Sequence, residues 1–266
     1  MQKLKFWKMS GAGNDFVLLT GARGAAGLRR LARRLCAPRT GVGADGLLLV
    51  NRAAAGAVSV RYFNSDGSEA FCGNGSRCAA WWAWLKNLAD REMTLETRAG
   101  RLPAFIAGRE SVRMRMPDVK KVSLRHKGKY PAGLREVHFL DTGVPHAVAP
   151  VKGLAGLDVA RLGRLLRFNP AFGRAGANAD FVELKGGSAH IRTYERGVEG
   201  ETLACGTGIT AAAVALALAG RVKPPVKLLA RSGEKFRVDL KPAGAGASEI
   251  FIQGPARLVF EGEFPC

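Results

Sequence analysis

The sequence lacks the features that mark secreted and membrane-bound proteins. Residues 1–17 contain three lysines but no apolar run of the length of a secretory signal, so we expect no such signal. The longest mostly apolar stretch, residues 209–219, is shorter than the roughly 20 residues that cross a bilayer. No low-complexity linker interrupts the chain. These absences predict a soluble, cytoplasmic protein that does not bind membranes.

Cysteine is scarce and shows no framework spacing. The 266 residues contain 5 cysteines, an odd number, which favours a reducing compartment over a disulfide scaffold. There is no C-x2-C or H-x3-H pair, so a structural zinc site is not expected. The sequence also has no recognisable pyridoxal phosphate site. We therefore expect neither a metal nor a cofactor.

Acidic residues are also in short supply. The chain has 22 Asp and Glu against 41 Lys and Arg, which gives a formal net charge of +19. Basic surfaces bind nucleic acids or steer small anions. The basic cluster at 29–34 contains no aromatic residue and the one at 120–135 contains only Tyr130, so neither has the interleaved stacking aromatics of a nucleic-acid surface, and a nucleic-acid partner is not expected. Steering of a small anionic ligand is the favoured interpretation.

What the sequence does contain is a cysteine motif that occurs twice. Gly67-Ser-Glu-Ala-Phe-Cys72-Gly-Asn-Gly75 and Gly200-Glu-Thr-Leu-Ala-Cys205-Gly-Thr-Gly208 both have the pattern G-x4-C-G-x-G. Each motif runs into an alanine-rich stretch with helical character, and the two cysteines are 133 residues apart. The repeat predicts two similar half-structures, each with a cysteine at the start of a helix.

This arrangement suits proton transfer at a carbon atom. The unpaired N–H groups at a helix start bind carboxylates and stabilise negative charge that develops there. The helix dipole also favours a thiolate and lowers the pKa of a cysteine. Two facing thiols could remove a proton from one side of a carbon and return one from the other. The motifs therefore indicate a cofactor-free racemase or epimerase.

Other interpretations of the cysteines stay open at this stage. A buried cysteine is often only a small apolar side chain, which suits Cys36 and Cys78, and Cys266 has no expected role. A two-cysteine redox protein, with Cys72 and Cys78 as one pairing, is an alternative. A third class is a basic anion- or nucleic-acid-binding protein with a degenerate active site.

Hydrophobic periodicity gives the expected elements. Helices are predicted at 25–36, 74–87, 157–168 and 207–219, because apolar residues recur at helical spacing or follow a cysteine motif. A strand over 5–19 is interrupted at 10–15, and a basic crossover between the halves is placed at 118–135. Alternation and turn signals predict further strands at 58–63, 112–116, 180–185, 189–195, 226–231, 235–240, 249–253 and 257–261.

Two weaker echoes extend the repeat. Asn14-Asp-Phe-Val17 resembles Ala179-Asp-Phe-Val182, and Arg61-Tyr-Phe-Asn64 resembles Arg192-Thr-Tyr-Glu195. Their shared order favours an old duplication.

The motifs, taken together, resemble those of the diaminopimelate epimerase family, in the family's order and over nearly the whole chain. They are Lys8-Met-Ser-Gly-Ala-Gly-Asn-Asp-Phe16, Gly41-Val-Gly-Ala-Asp45, Phe63-Asn-Ser-Asp-Gly-Ser-Glu69, Cys72-Gly-Asn-Gly-Ser-Arg-Cys78, Pro145-His146, Tyr194-Glu-Arg-Gly197 and Ala204-Cys-Gly-Thr-Gly208. The resemblance implies an α+β fold of two pseudo-symmetric domains, each a curved, mostly antiparallel sheet that wraps a central helix. It places the domains at 1–116 plus 256–266 and at 117–255, with the active site in the cleft between them, and it implies a homodimer.

The resemblance also implies an activity: interconversion of LL- and meso-diaminopimelate, an amino acid used in lysine and peptidoglycan synthesis. Cys72 and Cys205 would be the two catalytic residues, one a thiolate base and the other a thiol acid. The resemblance implies that His146 is an accessory residue that tunes or relays protons, and that Glu195 has this role as well as binding substrate. All other implied site residues bind the substrate. The substrate-binding set is Asn14, Asn64, Gly73, Asn74, Asn178, Glu195, Arg196, Gly206 and Thr207.

One residue departs from the family pattern. Family members usually have Gly-Asn-Pro-His where this chain has Gly143-Val144-Pro145-His146. The asparagine contacts the distal end of the substrate, and valine can neither donate nor accept a hydrogen bond. A related two-cysteine racemase that acts on another amino acid, such as histidine, is therefore the alternative.

Overall fold

The computed structural model describes residues 3–265 of the chain, so Cys266 lies outside the described residues. These residues form two compact units. The first runs up to Met114 and resumes at Gly254, and the second is Arg115–Gln253.

The first unit is built from two α-helices and a mostly antiparallel set of strands. Its last strand, β18, pairs antiparallel with its first strand, β1. The strands are β1 (Lys3–Gly11), β2 (Asn14–Leu19), β3 (Gly46–Arg52), β4 (Val58–Asn64), β5 (Glu69–Ala70), β6 (Glu92–Thr97), β7 (Gly100–Gly108), β8 (Ser111–Arg115) and β18 (Arg257–Pro265). The helices are α1 (Ala25–Cys36) and α2 (Gly73–Leu85), with a 3-10 turn at Ala54–Gly56.

The second unit has the same kinds of element. Its helices are α3 (Val159–Arg167) and α4 (Gly206–Leu218), with 3-10 turns at Leu154–Gly156 and Pro170–Phe172. Its strands are β9 (Val122–Ser123), β10 (His138–Asp141), β11 (Pro145–Pro150), β12 (Asn178–Lys185), β13 (Ser188–Glu195), β14 (Gly200–Thr202), β15 (Val226–Ala230), β16 (Lys235–Ala243) and β17 (Gly246–Pro255).

The two units share one topology. In the first, β1 pairs antiparallel with β2, β2 parallel with β3, β3 antiparallel with β4, and β4 with both β5 and β6. In the second, β10 to β15 repeat these pairings in the same directions. Each parallel pair needs a crossover. Helices α1 and α3 lie in the crossovers of β2–β3 and β11–β12, and α2 and α4 lie in those of β4–β6 and β13–β15. The predicted pseudo-symmetric α+β fold is confirmed.

The ladders also show which of the two weaker echoes is real. Arg61 and Arg192 lie on β4 and β13, which are counterparts. The echo between 14–17 and 179–182 is wrong, because those segments lie on β2 and β12, whereas the counterpart of β2 is β11. A match of four residues arises by chance more easily than a shared strand order does. Phe16 pairs with Gly46 and His146 with Asn178, so the residue equivalent to Asn14 is Val144, two positions before the pair.

Helices α2 and α4 are the central helices of their units. Residues 73–83 of α2 are all buried, as are 206 and 208–216 of α4. A helix that is apolar all round can only be stable when it is surrounded by protein. Strand β3 lies between two helices: Leu47 and Leu49 belong to the core cluster of α1, and Leu48 approaches Gly75 of α2. Burial on both faces explains why this strand is continuously apolar.

The predicted elements are confirmed, with shifts of a few residues at most ends. Helix α1 has the predicted bounds, and α2 and α4 begin one residue earlier than predicted, directly after the cysteines. The turn signal between the strands predicted at 180–185 and 189–195 is Gly186-Gly187, which forms the hairpin turn between β12 and β13 with positive φ, at 58° and 75°. The predicted crossover contains the short strand β9. Within residues 3–265, no helix combines the length and the apolar character needed to cross a membrane.

Candidate active site

Cys72 is the N-cap residue of α2. Its backbone is extended, with φ −136° and ψ 113°, and its Sγ accepts a hydrogen bond from the Gly75 N–H at 3.4 Å. The side chain is half-buried. Gly75 is tightly surrounded, because a Cβ there would lie 3.0 Å from Leu48. The glycine therefore lets the helix start pack against β3 and present the thiol at its end.

Two amides join Cys72 in a hydrogen-bonded chain. The Oδ1 atom of Asn14 lies 3.7 Å from Cys72 Sγ and accepts from Asn74 Nδ2 at 3.4 Å. The other end of Asn14 is fixed, because its Nδ2 donates to Asp45 Oδ2 at 2.5 Å. Burial raises the pKa of Asp45 above its usual range. The carbonyl end of Asn14 is thus held toward the thiol.

Asn64 lies at the end of β4 and pairs with Gly46. Its side chain accepts from the Tyr62 hydroxyl at 2.9 Å and donates to Ser68 Oγ at 2.9 Å. Tyr62 needs the space at Gly46, where a Cβ would lie 2.3 Å from its ring. Glycine at position 46 therefore allows Tyr62 to orient the Asn64 amide.

A fully buried arginine lies one turn into α2. Arg77 Nη2 donates to Asn74 Oδ1 at 2.8 Å, and Nη1 and Nε approach the carbonyl oxygens of Gly73 and Pro255 at 3.4 Å. Burial lowers the pKa of Arg77 to about 10, while Cys78 and Cys72 act in the opposite direction. Arg77 is not among the site residues predicted from the sequence. A charged residue inside an otherwise apolar helix is the signal that could have found it.

Cys205 is the N-cap residue of α4, and unlike Cys72 it is buried. Its Sγ lies 3.3 Å from Thr207 Oγ1. Burial raises the pKa of the Cys205 thiol well above its ordinary value, and the carboxylates of Glu195 and Asp180 add to this. The Thr207 hydroxyl and the Gly208 N–H act in the opposite direction. The expectation of a lowered pKa is therefore wrong for Cys205, because burial and two negative charges outweigh the hydrogen bonds from the helix start.

Beneath the start of α4 lies a buried histidine–carboxylate pair. His146 Nδ1 is 2.7 Å from Asp180 Oδ2, and both side chains are 0% exposed. A carboxylate only accepts, so Nδ1 carries a hydrogen. The second carboxylate oxygen accepts from the Thr193 hydroxyl at 2.7 Å. Gly208 makes room for this group, because a Cβ there would lie 2.4 Å from Asp180 Oδ1.

Asn178 continues this network toward Arg196. Its Nδ2 donates to the Pro145 carbonyl at 3.0 Å and lies 3.5 Å from His146 Nε2. Its Oδ1 accepts from the backbone N–H of Arg196 at 2.8 Å. Glu195 and Arg196, at the end of β13, are both half-buried. Asn178 thus links His146 to the backbone of Arg196 in the second unit.

The structure places the predicted site residues in two groups, one in each unit. The first contains Asn14, Asn64, Cys72, Gly73 and Asn74. The second contains His146, Asn178, Glu195, Arg196, Cys205, Gly206 and Thr207. Within residues 3–265, the His, Cys, Asp and Glu side chains form no cluster that could hold a metal ion.

Sequence reasoning missed several residues that hold these groups in place. The missed residues are Asp45, Tyr62, Arg77, Thr142, Asp180 and Thr193. Thr142 Oγ1, for example, donates to the Thr207 carbonyl at 3.2 Å. Asp180 had a readable signal, because it follows Asn178 by two residues on one strand and so points to the same face.

Comparison with known proteins extends the resemblance over the whole chain. The family model described as "Diaminopimelate epimerase" matches residues 6–122 and 138–259. The diaminopimelate epimerase of Aquifex aeolicus (strain VF5) is 39% identical over 278 residues, covering 97% of each chain. That of Chlorobaculum tepidum is 39% identical over 262 residues, covering 96% of this chain and 98% of the relative.

Solved structures share the fold at low sequence identity. A phenazine biosynthesis protein of the PhzF family from Bacillus anthracis matches with a TM-score of 0.78 at 17% identity, covering 100% of both chains. A hydroxyproline epimerase from Agrobacterium vitis matches with a TM-score of 0.73 at 20% identity, covering 98% of this chain and 92% of that one. The structural likeness establishes the fold, and the sequence matches establish the family: this chain belongs to the diaminopimelate epimerase family.

Proposed function

We propose that this protein interconverts LL- and meso-diaminopimelate by moving the α-proton between two cysteines, Cys72 and Cys205. One observation carries the proposal: each unit presents one cysteine as the N-cap of its central helix, in a chain whose relatives are named for this activity. Two-base transfer needs one such thiol on each side of the reacting carbon.

In the proposed reaction one cysteine enters as a thiolate and the other as a thiol. The thiolate takes the α-proton, which breaks the C–H bond and leaves its electron pair on the carbon and the adjacent carboxylate. The thiol on the opposite face then gives its proton to the carbon. Configuration inverts, and the two cysteines exchange protonation states, so the reverse reaction uses them in exchanged roles.

The helix starts would stabilise the charge that develops on the substrate. The backbone N–H groups of Gly73-Asn74 and Gly206-Thr207 lie in the first turns, where helices leave such donors without intrahelical partners. Donors aimed at a developing oxyanion are among the largest contributions to catalysis. We assign these N–H groups to the α-carboxylate at the reacting centre, and backbone carbonyl oxygens of the same segments to the amine, because an ammonium can only donate.

We assign the remaining polar groups to the rest of the substrate and to proton management. Asn14, Asn64, Asn178 and Arg196 would bind the substrate, and several would hold its distal end, where amides and a guanidinium match an ammonium and a carboxylate. His146 and Glu195 would tune the thiols. The contacts of Asn14 with Cys72 and of Asn178 with Arg196 support these roles.

The test is solvent deuterium incorporation at the α carbon. Fully reduced protein is mixed in heavy water with LL-diaminopimelate and separately with histidine, proline and glutamate. We expect exchange and epimerisation with diaminopimelate alone. The variants C72A and C205A should lose both, and C36A, which removes a buried thiol from α1, should retain them.

Each other outcome has a definite meaning. Exchange only with histidine or another amino acid would keep the two-thiol reaction and overturn the substrate, in favour of the alternative raised by Val144. No exchange with any substrate, in protein whose thiols titrate as reduced, would overturn the enzymatic function. Salt-sensitive DNA binding in such protein would favour the basic binding class.

We further propose that the active protein is a cytoplasmic homodimer. The exposed Val259 and Phe260 on β18 are apolar side chains that a second copy would cover. Among residues 3–265 the cysteines are thiols and not disulfides, which suits a reducing compartment. Sedimentation of the reduced protein at several concentrations tests the dimer, and a monomer at micromolar concentration with full activity would contradict it.

A further inference from the structure

The proposed reaction assigns no role to the repeated motif that contains Arg61 in the first unit and Arg192 in the second. Arg61 makes a two-pronged contact with Glu69, with Nε–Oε1 and Nη2–Oε2 distances of 2.9 and 3.0 Å. In the second unit Arg192 makes the same contact with Glu201, at 2.6 and 2.8 Å. We call these the first clamp and the second clamp.

The clamps stand immediately before the two cysteines. Glu69 lies on β5, three residues before Cys72, and Glu201 lies on β14, four residues before Cys205. Each glutamate is therefore tied to the neighbouring long strand, β4 or β13, just ahead of the central helix. Because so few residues separate clamp and helix, the clamp leaves the cysteine little freedom to move.

A further arginine reinforces each clamp from an equivalent place. Arg98, in the turn after β6, donates to the Glu69 carbonyl at 3.0 Å. Arg231, directly after β15, lies 2.6 Å from Glu201 Oε2. Both units thus have a further arginine directly after counterpart strands, which contacts the backbone of Glu69 in the first unit and the side chain of Glu201 in the second.

The second clamp is the more deeply built of the two. The Arg192 and Glu201 side chains are 18% and 10% exposed, against 32% and 22% for Arg61 and Glu69. Arg192 Nη1 also donates to the carbonyls of Leu154 and Leu157, both at 2.9 Å. The guanidinium therefore joins three chain segments at once.

Ordinary surface ion pairs on this protein look different. Lys241 and Glu249 are 69% and 52% exposed, and lysine offers no planar fork. Such pairs contribute little, because water screens them and both side chains lose freedom. A two-pronged arginine–carboxylate contact with low exposure fixes geometry as well as charge.

We propose that the two clamps are positioning devices that hold the Cys72 and Cys205 thiols where proton transfer requires them. The inference rests on the proposed function of the two cysteines, but it concerns their placement and can be tested without turnover. Arg61, Glu69, Arg192 and Glu201 are positioning residues and need not touch the substrate.

The test is the rate at which each cysteine is alkylated, read separately from its own peptide by mass spectrometry. In E69Q we expect Cys72 to react with iodoacetamide roughly tenfold faster, because the segment before it opens locally, while Cys205 keeps its rate. In E201Q we expect the reverse, with a larger factor. Global destabilisation would change both cysteines together, so the selectivity identifies positioning.

Charge-preserving variants separate geometry from electrostatics. R61K and R192K keep a positive charge beside each glutamate but lose the fork. As in the glutamine variants, only the cysteine in the same unit as the altered clamp should be alkylated faster. They should also lower kcat by roughly tenfold to a hundredfold with little change in KM, because misplacing a reacting group by about 1 Å costs that much.

The exposed pair provides the matched control: E249Q should alter neither alkylation rate nor kcat. The inference is overturned if the lysine variants behave as the unmodified protein, or if both cysteines respond equally to E69Q. Failure of the proposed function would look different. The unmodified protein would then not epimerise diaminopimelate, yet each clamp variant would still increase the alkylation rate of only the cysteine in its own unit.

Discussion

The two cysteines share a backbone setting but differ in their surroundings. Each is the N-cap of a buried central helix, after a clamped strand. Cys72 is half-buried beside an amide, Asn14. Cys205 is buried, and the carboxylates of Glu195 and Asp180 raise the pKa of its thiol together with burial. The duplication preserved the geometry of the thiol and changed the charge around it.

This difference teaches which features a two-base reaction requires twice. Position is required twice, so the helix start and the clamp occur in both units. The same charge around the thiol is not required in both units, because at any moment one thiol must hold the proton and the other must not. A site with negative neighbours favours the protonated thiol. We therefore expect Cys205 to be the thiol, and hence the proton donor, in the unliganded protein.

The largest effect should come from removing either thiol. C72A and C205A should each lower kcat for epimerisation by about 10³-fold or more, because proton transfer by a positioned group contributes about 10²–10⁴-fold and each direction needs both groups. The measurement is the conversion of LL- to meso-diaminopimelate by chiral chromatography. Near-normal turnover in both variants would contradict the proposal that the two cysteines transfer the proton.

The next effect should come from the carboxylate that distinguishes the second unit. D180N removes a negative charge near Cys205 and disturbs the bonds to His146 and Thr193, so we expect kcat to fall roughly tenfold to a hundredfold. Since Asp180 raises the pKa of Cys205, its loss should shift the alkylation profile of this cysteine to lower pH.

A matched change elsewhere separates this effect from charge in general. Asp239 pairs with Arg237 on β16 and is not one of the two carboxylates that raise the pKa of Cys205, so D239N should leave both the profile and kcat unchanged. An unchanged alkylation profile in D180N would show that burial alone holds the thiol protonated. A lowered kcat with an unchanged profile would limit Asp180 to orienting His146.

A smaller effect should come from exchanging Asn14 and Val144, which are equivalent positions in the two ladders. V144N should lower KM for diaminopimelate about tenfold, since a hydrogen bond to a charged group contributes roughly 1.5–3 kcal/mol. V144L, which adds bulk without polarity, should not. N14V should raise KM and lower kcat, because Asn14 also contacts Cys72 and Asn74.

The steady-state parameters of these three variants decide the question. If V144N raises KM, the site has adapted to an apolar residue at this position. Activity of V144N on a substrate that the unmodified protein rejects would show that Val144 sets specificity.

Sequence reasoning reached the parts of this molecule that repeat or alternate. The helix at 25–36 has an apolar stripe, and both N-cap cysteines carry a glycine pattern that only a close-packed helix start demands. Strand β3 was not predicted, because a strand buried on both faces has no alternation to detect. The position equivalent to Asn14 emerged only from the ladders, since the sequence alone pointed to the wrong strand.

The hydrogen-bond partners of the site residues could not be predicted from the sequence for a similar reason. His146 meets Asp180 because β11 and β12 are parallel and in register, with His146–Pro150 beside Asn178–Val182. Thirty-four residues separate the two side chains along the chain. No local pattern encodes such a pairing, although Asn178 itself was predicted from the family resemblance.

The smallest expected effect concerns stability at high pH and another difference between the central helices. Cys78 on α2 corresponds to Ala211 on α4, counting from each cysteine motif. Burial raises the pKa of Cys78 from 9.0 to about 12. A raised pKa means that the folded state holds the proton more tightly, so its contribution is complete below pH 9 and is lost as pH rises toward 12.

Converting α2 to the pattern of α4 tests this sign. C78A should weaken the alkaline loss in the free energy of unfolding by about 1 kcal/mol per pH unit between pH 9 and about 11, since one pKa unit corresponds to about 1.4 kcal/mol. Urea unfolding at a series of pH values measures the slope. Below pH 8 the variant and the unmodified protein should show parallel pH dependence, because the thiol is protonated in both states. An identical slope above pH 9 would mean that Cys78 ionises as easily in the folded protein as in the unfolded chain.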